Sequence, residues 1–262
     1  MKQNNRLKSF GNYILVTGAT SGIGRTISDE LAATGIDLVL VARDQKLLDR
    51  LVVEYKTRYG IDALAIDADL SVEEQVIKLF EQTEKLDIGV CIHSAGFGSS
   101  GYFLNNELAN ETNMVHLNCV STLSFAYEFG KRFKQRGKGA LVLFSSIVAF
   151  QGVPYSANYA ATKAYVQTLG EALVRELRSY NVNVLVAAPG PTQTGFSERA
   201  NMDMKGAMKP REVAKDIIKN IGKSRTIYPG VLSKVLTFSL NLLPRFGKIK
   251  VMTGIMKKMA QA

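Results

Sequence analysis

The sequence predicts an α/β fold in which a single doubly wound parallel sheet is covered by helices on both faces. Seven short runs rich in valine, isoleucine and leucine alternate along the chain with helix-length amphipathic segments. The apolar runs are nearly continuous, as is typical of strands buried on both faces of a parallel sheet. Strands that alternate regularly with helices indicate one layered α/β sheet rather than separate α and β regions.

The predicted elements follow one another without interruption. The strands cover residues 13–18, 36–42, 62–69, 87–95, 139–146, 181–189 and 225–229. The helices cover residues 25–34, 45–59, 72–85, 106–136, 156–180 and 210–222. Because no linker, repeat or low-complexity block separates them, we expect a single domain over residues 1–262. Its core would span residues 10–230, and residues 231–262 would form a helical C-terminal extension.

Composition narrows the class of protein. Residues 1–12 are polar and basic and lack the apolar run of a signal peptide. No uncharged apolar stretch is long enough for a membrane span, which needs about 20 residues. The two cysteines do not indicate a disulfide framework and are typical of a reducing compartment. We therefore expect a cytoplasmic protein.

The positive charge is concentrated near the C-terminus. The formal net charge is +10, and no aspartate or glutamate follows Asp216. The basic residues beyond that point are Lys219, Lys223, Arg225, Lys234, Arg245, Lys248, Lys250, Lys257 and Lys258. The rest of the chain is close to neutral, so the sequence does not favour nucleic-acid binding, while the basic tail is a local feature.

A glycine-rich segment, TGATSGIG at residues 17–24, lies between the first predicted strand and the first predicted helix. Glycines at such a turn let backbone N–H groups approach a pyrophosphate at the helix N-terminus. The same glycines would also serve a purely structural turn. The position after the first strand makes nucleotide binding the favoured interpretation.

Tyr159 and Lys163 form a second motif. Residues four apart on a helix lie one above the other, so the lysine ammonium is expected beside the phenol. A nearby cation favours the phenolate and would lower the pKa of the tyrosine phenol, which is ordinarily about 10. Tyr159 would then be a usable proton donor or acceptor. An ordinary helix with a surface lysine and tyrosine would show the same spacing.

Together these motifs resemble the classical branch of the short-chain dehydrogenase/reductase superfamily, whose fold is Rossmann-type. The likeness runs from Thr17 to Thr194, most of the chain. The resemblance implies several groups of cofactor-binding residues. In the glycine-rich turn they are Gly18, Thr20, Ser21, Gly22, Ile23 and Gly24; beside the adenine they are Asp69 and Leu70; after the fourth strand they are Ala95 and Gly96. The loop that holds the nicotinamide carboxamide would contribute Pro189, Gly190, Thr192 and Thr194, and Asn118, Tyr159 and Lys163 complete the set.

The resemblance also implies catalytic roles. Tyr159 would give a proton to a substrate carbonyl, or accept one in the oxidation direction. Lys163 would lower the pKa of Tyr159 and hold the nicotinamide ribose, and Asn118 would position a water that relays protons to Lys163. Ser146, thirteen residues before Tyr159, would donate a hydrogen bond to the same carbonyl oxygen. Ser145 is the rival serine, but it would face the opposite side of a continuing strand.

The end of the second predicted strand bears on the choice of cofactor. An acidic residue there would bind the ribose 2′-hydroxyl of NAD, whereas this chain has Ala42 followed by Arg43. A guanidinium can hold a 2′-phosphate with two hydrogen bonds. We therefore expect NADP(H) to be preferred over NAD(H), with Arg25 as a possible helper. Arg43 as a solvated charge is the alternative.

The segment after the fourth predicted strand departs from the family pattern. His93 and Ser94 stand where Asn-Asn is usual, while Ala95 and Gly96 are retained. The first asparagine bridges neighbouring strands in the family, and we expect His93 to take over that role.

The histidines and cysteines form two pairs, Cys91 with His93 and His116 with Cys119. Four such residues could make a zinc site, but their spacings fit no common zinc module. We expect core residues and no metal.

Two segments are expected near the substrate. Residues 193–209 would close over it, and Phe196, Met202, Met204 and Met208 would offer adaptable apolar surface for a hydrophobic or elongated substrate; packing against neighbouring helices is the equal alternative. Residues 98–104 would line the other side of the pocket. Tyr102 and Phe103 would contact substrate there or lie in the core.

The sequence of the C-terminal extension predicts an amphipathic helix that ends at Pro244, followed by a second amphipathic segment with basic residues on its polar side. The expected apolar face comprises Leu232, Val235, Leu236, Leu242 and Leu243, opposite Lys234, Thr237 and Asn241. Packing on the domain or a sister subunit is the default interpretation. An anionic membrane surface and an acidic acyl carrier are the alternatives.

The sequence thus predicts an NADP(H)-dependent oxidoreductase that interconverts a carbonyl and a secondary alcohol, with a small-molecule ketone or 3-oxoacyl substrate. The alternatives are an NAD-linked alcohol or steroid-type dehydrogenase and a non-catalytic nucleotide-sensing protein on the same fold. The resemblance also implies a homo-oligomer paired through the helices that contain Asn118 and Tyr159.

Overall fold

The computed structural model describes residues 2–204, 206–223 and 225–260, with side chains from residue 5 onward. It contains one seven-stranded sheet in which every paired neighbour is parallel. The strands are β1 Tyr13–Thr17, β2 Asp37–Ala42, β3 Ala63–Asp67, β4 Ile88–His93, β5 Gly139–Phe144, β6 Val182–Ala187 and β7 Arg225–Ile227. Their order is β3-β2-β1-β4-β5-β6-β7, so the predicted doubly wound sheet is confirmed.

Helices connect and cover the strands. They are α1 Lys2–Lys8, α2 Gly22–Ala32, α3 Gln45–Tyr59, α4 Glu73–Gln82, α5 Leu108–Val115, α6 Ser121–Arg136, α7 Ala157–Glu176, α8 Phe196–Arg199, α9 Pro210–Asn220, α10 Val231–Asn241 and α11 Arg245–Met259. A π-helical turn, His116–Val120, joins α5 to α6. The long helix expected over residues 106–136 is therefore present with one wide turn in its middle.

Two apolar layers hold the helices against the sheet. On one face α2, α3 and α9 bury Ile27, Leu51 and Ile217 against strand residues such as Val16. On the other face α4, α6 and α7 bury their side chains against the opposite strand residues. That second layer includes Leu79, the aromatic series Phe125, Phe129 and Phe133, and Val166. Alternate residues of each strand serve the two layers, which is why the strands are apolar throughout.

The chain reverses its direction of winding at β1, which lies between β2 and β4. In an open parallel sheet the crevice beside such a reversal, at the carboxyl ends of the strands, is where ligands bind. Thr17 ends β1 and is paired with His93 at the end of β4. The glycine-rich turn and the segment after β4 therefore meet at this crevice.

The N-terminal segment forms a helix where no element was expected. Leu7 of α1 is fully buried in the core layer that includes α9. The Arg6 guanidinium donates to the carbonyl oxygens of Ile218 and Lys219, so it ties α1 to the end of α9. One buried leucine in a polar stretch is too little periodicity to predict a helix.

The expected orientation of the C-terminal helix is wrong. α10 buries Ser233, Thr237 and Leu240, while Val235 is mostly exposed. The polar side chains face inward because Ser233 accepts a hydrogen bond from the backbone N–H of Gly190 at 2.8 Å. The helix also ends at Asn241 rather than at Pro244. The predicted extent of this helix was nearly right, but the predicted buried face was not.

Within the described part of the chain, no helix is both long and apolar enough to cross a bilayer. Over the same residues, no group of three or more histidine, cysteine, aspartate and glutamate side chains is placed to hold a metal ion.

Candidate active site

The glycine-rich turn leads from β1 into α2 and is shaped by close backbone approaches. Gly18 has a φ of +64°, in the left-handed region that favours glycine. A Cβ on Gly24 would lie 2.4 Å from Ser94 Oγ and 2.5 Å from the Gly18 carbonyl oxygen. Ser21 precedes the helix without capping it through its side chain, so the first N–H groups of α2 face the crevice. This arrangement is suited to a phosphate group.

Tyr159 lies on α7 beside Ser146, whose hydroxyl acts to lower the pKa of the phenol, and both residues line the same cavity. β5 stops at Phe144, so Ser145 and Ser146 lie in the segment beyond the strand. The Ser145 hydroxyl donates instead to the carbonyl oxygen of Lys163 at 3.0 Å, away from the phenol. Of the two serines, Ser146 is therefore the one beside Tyr159.

The relation between Lys163 and Tyr159 differs from the expected one. The Lys163 Nζ lies 5.7 Å from the centre of the Tyr159 ring and donates to the carbonyl oxygen of Phe144 at 2.9 Å. Burial raises the pKa of Tyr159 to about 12, although the Ser146 hydrogen bond acts in the opposite direction. Burial also lowers the pKa of Lys163 to about 8. Burial dominates the pKa of Tyr159 and Lys163 is not among the groups that shift it, so the expected lowering of the tyrosine pKa by the lysine is wrong.

Asn118 sits in the π-helical turn, directly behind the catalytic helix. Its Nδ2 donates to the Phe97 carbonyl oxygen at 2.9 Å and to Thr162 Oγ1 at 3.0 Å. Its Oδ1 accepts from the Phe97 N–H at 3.2 Å and would be only 2.9 Å from a Cβ on Gly96. The asparagine thus fixes the segment after β4 against α7. One lone pair of Oδ1 is left over for a further donor.

Arg43 and Asp69 mark the outer end of the crevice. Arg43 is largely exposed, and its Nη1 lies 3.6 Å from Asp69 Oδ2. Burial alone would raise the pKa of Asp69, but hydrogen bonds from Ser71 and the charge of Arg43 hold it below its usual value. Arg25, the suggested helper, is instead held by Asp29 at 2.8 Å and Glu54 at 3.6 Å. Arg43 is the guanidinium that faces the crevice.

The loop after β6 is secured by α10. The N–H of Gly190 donates to Ser233 Oγ, while Thr192 Oγ1 donates to the Gly190 carbonyl oxygen at 3.0 Å. Thr194 lies across the crevice, with its Cβ 3.4 Å from where a Cβ of Gly22 would be. Ser233 was not identified from the sequence, because its partner is 43 residues away and no spacing links the two.

His93 bridges neighbouring strands as expected. Its Nδ1 lies 3.2 Å from Thr17 Oγ1 at the end of β1, and its Nε2 lies 3.4 Å from Ser121 Oγ. Burial lowers the pKa of His93 to about 3, so the ring is neutral near pH 7. Thr17 in turn accepts the Ala95 N–H at 3.0 Å. The histidine therefore joins the two strands that border the crevice.

One cavity of about 720 Å³ connects these groups. Its nucleotide end is lined by Gly18, Thr20, Ser21, Gly22, Ile23, Gly24, Arg43, Asp69, Leu70, Ala95 and Gly96, and its middle by Ser146, Tyr159, Pro189, Gly190, Thr192 and Thr194. Asn118 and Lys163 are buried behind Tyr159 and are not among the lining residues. The structure thus gathers the sequence-predicted residues around one space.

The far end of the cavity is apolar and comes largely from the C-terminal helices. Its wall includes Phe196, Met202 and Met204 and, from the extension, Leu236, Leu240, Leu243, Val251, Met252, Ile255, Met256 and Met259. The Phe196 ring lies 5.3 Å from the Tyr159 ring, centre to centre. The extension is therefore part of the site, which its sequence did not reveal.

Three expected substrate contacts lie elsewhere. Met208 is a core residue packed against Ser233. Tyr102 and Phe103 are more than half exposed, and neither lines the cavity, because their loop lies at the protein surface. The loop is held there because Glu111 accepts hydrogen bonds from Ser99 at 2.6 Å and Asn106 at 2.9 Å.

Glu111 is a second residue that sequence reasoning missed. Besides the loop, its other carboxylate oxygen accepts from Asn158 at 2.7 Å, next to Tyr159 on α7. It thereby connects α5, the loop after β4 and the start of α7. A lone glutamate on an amphipathic helix resembles a solvated residue, so no pattern identified it.

A family model described as short chain dehydrogenase matches residues 12–205, well over half of the chain. The chain belongs to the short-chain dehydrogenase family. It is therefore an oxidoreductase with the nucleotide-binding fold of that family, and the resemblance seen in its motifs is confirmed.

Relatives of the chain include two curated enzymes and one solved structure. The chain is 30% identical over 231 residues to the 7beta-hydroxysteroid dehydrogenase of Clostridium sardiniense, covering 87% of this chain and 88% of that one. It is 33% identical over 193 residues to the very-long-chain 3-oxoacyl-CoA reductase of Neurospora crassa, covering 72% and 58%. A Sphingobium yanoikuyae short-chain dehydrogenase solved in complex with NADPH has a TM-score of 0.81 at 30% identity, covering 87% of this chain and 92% of that one.

Proposed function

We propose that the protein is an NADP(H)-dependent oxidoreductase that interconverts a ketone and a secondary alcohol, with Tyr159 as general acid and base. The observation that carries this proposal is the position of Ser146 beside Tyr159 in the wall of the cavity, where the serine lowers the pKa of the phenol. The hydroxyl pair lies between a phosphate-sized backbone cradle and an apolar wall. A substrate carbonyl between those two ends would meet both hydroxyls.

The roles of the hydroxyls follow from their pKa and their surroundings. Burial keeps Tyr159 protonated near neutral pH, so the phenol can donate its proton to a carbonyl oxygen. Ser146 donates a second hydrogen bond, which stabilises charge as it develops on that oxygen. Lys163, buried behind the ring with a pKa near 8, can resupply a proton to the tyrosine. Asn118 holds the neighbouring backbone in place and has one Oδ1 lone pair left for a relaying water.

The crevice fits a nicotinamide dinucleotide. The pyrophosphate would lie at the N-terminus of α2, where Gly24 packs so closely on Ser94 and the Gly18 carbonyl oxygen that a side chain would distort the turn. The exposed guanidinium of Arg43 would hold a 2′-phosphate, and the loop with Pro189, Gly190, Thr192 and Thr194 would hold the carboxamide. When bound, such a cofactor supplies or accepts the hydride. The NADPH complex of the Sphingobium yanoikuyae relative supports this choice.

The apolar end of the cavity favours a bulky or elongated hydrophobic substrate. Methionine side chains adapt their shape to irregular apolar molecules, and Met202, Met204, Met252 and Met256 all line this end. Two of the relatives, a hydroxysteroid dehydrogenase and a very-long-chain 3-oxoacyl-CoA reductase, are named for substrates with a bulky or elongated apolar part.

The test is a steady-state assay of ketone reduction with NADPH and with NADH. The panel would contain hydroxysteroid ketones and long-chain 3-oxoacyl thioesters. We expect NADPH to be preferred, and Arg43→Ala to raise the KM for NADPH about 10- to 100-fold, since a hydrogen bond to a charged group contributes roughly 1.5–3 kcal/mol. NADH kinetics should hardly change. Arg50→Ala, an exposed arginine on α3, the helix that follows Arg43, is the matched control. Equal use of both cofactors by the unaltered protein would refute the role of Arg43.

The single-domain organisation and the cytoplasmic location stay predictions. Homo-oligomerisation through the helices around Asn118 and Tyr159 also stays a prediction. In its support, α6 exposes Leu123 and Tyr127, two apolar side chains one turn apart.

A further inference from the structure

The helix α10 exposes a row of apolar side chains. Val231, Val235 and Phe238, with Leu242 just beyond the helix, are between 54% and 72% exposed. Their spacing of four, three and four residues places them on one face of the helix. The opposite face is buried and carries Ser233 and Thr237 together with Leu240. An exposed row of large apolar side chains indicates a site of interaction with another apolar surface.

The helix α11, which follows directly, also exposes apolar side chains, with Phe246 on a different side of the helix from Val251 and Ile255. Phe246 is 75% exposed, and Val251 and Ile255 are each more than a third exposed. We call the exposed apolar residues of α10 and α11, with Leu242 and Leu243 between them, the C-terminal apolar surface. It is formed by two helices that are adjacent in sequence, within the last 32 residues of the chain.

The charge around this surface is mostly basic, although Lys234 at the start of α10 pairs with Asp216 at 3.2 Å and Glu212 accepts a hydrogen bond from the Val231 N–H. Residues 231–262 contain Lys234, Arg245, Lys248, Lys250, Lys257 and Lys258 and no aspartate or glutamate. Arg245, Lys250, Lys257 and Lys258 are exposed. A second copy of the chain docked face to face would bring like charges together, which opposes self-association. An apolar surface bordered by lysine and arginine matches the interface of an anionic bilayer.

The same surface contains the mouth of the cavity. Leu243, Val251 and Ile255 line the apolar end of the cavity and are also exposed to solvent. An apolar molecule that leaves a bilayer at this point would enter the cavity without crossing water. Ser233, on the buried face of α10, meanwhile holds Gly190 of the loop beside Tyr159.

We infer that the C-terminal apolar surface docks on an anionic phospholipid membrane and places the mouth of the cavity against the lipid. Phe238 and Phe246 enter the region between headgroups and acyl chains, and the lysines and arginine lie among the headgroup phosphates. Docking itself is independent of the proposed function, whereas delivery of a lipid-soluble substrate rests on it.

Co-sedimentation with vesicles tests the docking. Vesicles of phosphatidylcholine alone are compared with vesicles that also contain phosphatidylglycerol, at low and high salt. We expect at least tenfold stronger partitioning to the anionic vesicles, weakened by salt because the charges are near the surface. Phe238→Asp with Phe246→Asp should lower the partition coefficient at least tenfold. Neither residue lines the cavity, so turnover of a water-soluble substrate should not change.

Matched variants separate docking from general effects. Val53→Asp with Leu104→Asp adds the same charge at exposed apolar positions elsewhere and should leave partitioning unchanged. Lys257→Gln with Lys258→Gln should weaken partitioning roughly tenfold or more, since each basic residue near an anionic surface contributes about 1 kcal/mol, or fivefold. Lys78→Gln with Lys131→Gln, both exposed elsewhere, is its control.

Three outcomes would overturn the inference. One is vesicle binding that persists in the Phe238 and Phe246 double variant. A second is no vesicle binding together with a concentration-dependent dimer that the double variant disperses, which would make the surface a contact between copies. A third is binding to an acidic acyl carrier protein but not to vesicles. None of these readouts requires turnover, so failure of the proposed function is distinguishable from failure of docking.

Discussion

Replacing Lys163 with methionine should make the protein more stable near neutral pH while it abolishes most of its activity. Lys163 is buried, and its ammonium is poorly solvated, which lowers its pKa from 10.5 to about 8. A charged group that the folded state disfavours in this way destabilises the fold. Methionine has a similar length, carries no charge and fills irregular apolar space.

The magnitude follows from the pKa. A shift from 10.5 to about 8 corresponds to about 3 kcal/mol against the folded state at pH 7, at about 1.4 kcal/mol per pH unit. The variant also loses the hydrogen bond from Nζ to the Phe144 carbonyl oxygen, which contributes about 1 kcal/mol. The net expectation for Lys163→Met at pH 7 is a gain of about 2 kcal/mol in the free energy of unfolding, or about 4–8 °C in Tm for a chain of this length.

The difference in stability between the unaltered protein and Lys163→Met should depend on pH. Between pH 8 and 10.5 the unfolded chain keeps the lysine proton and the folded protein has lost it, so the native protein gains stability as pH rises. The advantage of the variant should therefore shrink across that window and then reverse. Urea unfolding of both proteins at several pH values measures it. Lys131→Met, at an exposed site on α6, should show no such slope. A pH-independent difference, or a destabilised variant at pH 7, would refute the reasoning.

Other substitutions test the parts of the site. Ser233→Ala should destabilise the protein by about 1–2 kcal/mol and weaken cofactor binding, because the Gly190 N–H loses its acceptor. Calorimetry measures the stability and a titration measures cofactor binding; an unchanged titration would contradict the role of Ser233. Gly24→Ala should abolish cofactor binding and cost about 1–3 kcal/mol, since its Cβ would meet the Gly18 carbonyl oxygen at 2.5 Å; normal binding would exclude the proposed cradle. Gly254→Ala, in an open position of α11, should instead stabilise by about 0.5–1 kcal/mol in a thermal melt, and a loss would show that α11 is not the helix described.

Much of the fold could be predicted because the central strands, such as β4 and β5, are apolar nearly throughout. Strand runs such as residues 139–146 and the helix over residues 45–59 have period and length that admit one interpretation. The ends of the elements were predicted less accurately. β5 stops at Phe144 rather than at Ser146, because Ser145 and Ser146 leave the ladder to bond α7 and the loop after β6.

The candidate site was predictable where short-range spacing identifies it. The glycine turn and the pair Tyr159 and Lys163 lie on single elements, so sequence distance reports spatial distance. The lysine's effect on the phenol was not predictable in the same way. It depends on burial and on where Nζ finds an acceptor, and the acceptor comes from another element, Phe144.

The C-terminal extension shows where sequence patterns fail. A helix with apolar and polar faces is expected to bury the apolar one, yet α10 buries Ser233 and Thr237. Leu240 is buried on the same side, so the buried face is mixed, and Ser233 is drawn inward by its tertiary hydrogen bond to Gly190. Neither feature is visible from hydrophobic periodicity.

The central claim is that Tyr159 donates the proton to a bound ketone. The most direct measurement is a single-turnover reduction of one ketone by NADPH with the unaltered protein and with Tyr159→Phe. Tyr165→Phe, on the same helix but facing solvent, is the control.

We predict that Tyr159→Phe binds NADPH with little change and reduces the ketone about 10²- to 10⁴-fold more slowly, the usual contribution of a general acid. Tyr165→Phe should keep the rate of the unaltered protein. A Tyr159→Phe variant that retains full turnover would contradict the account.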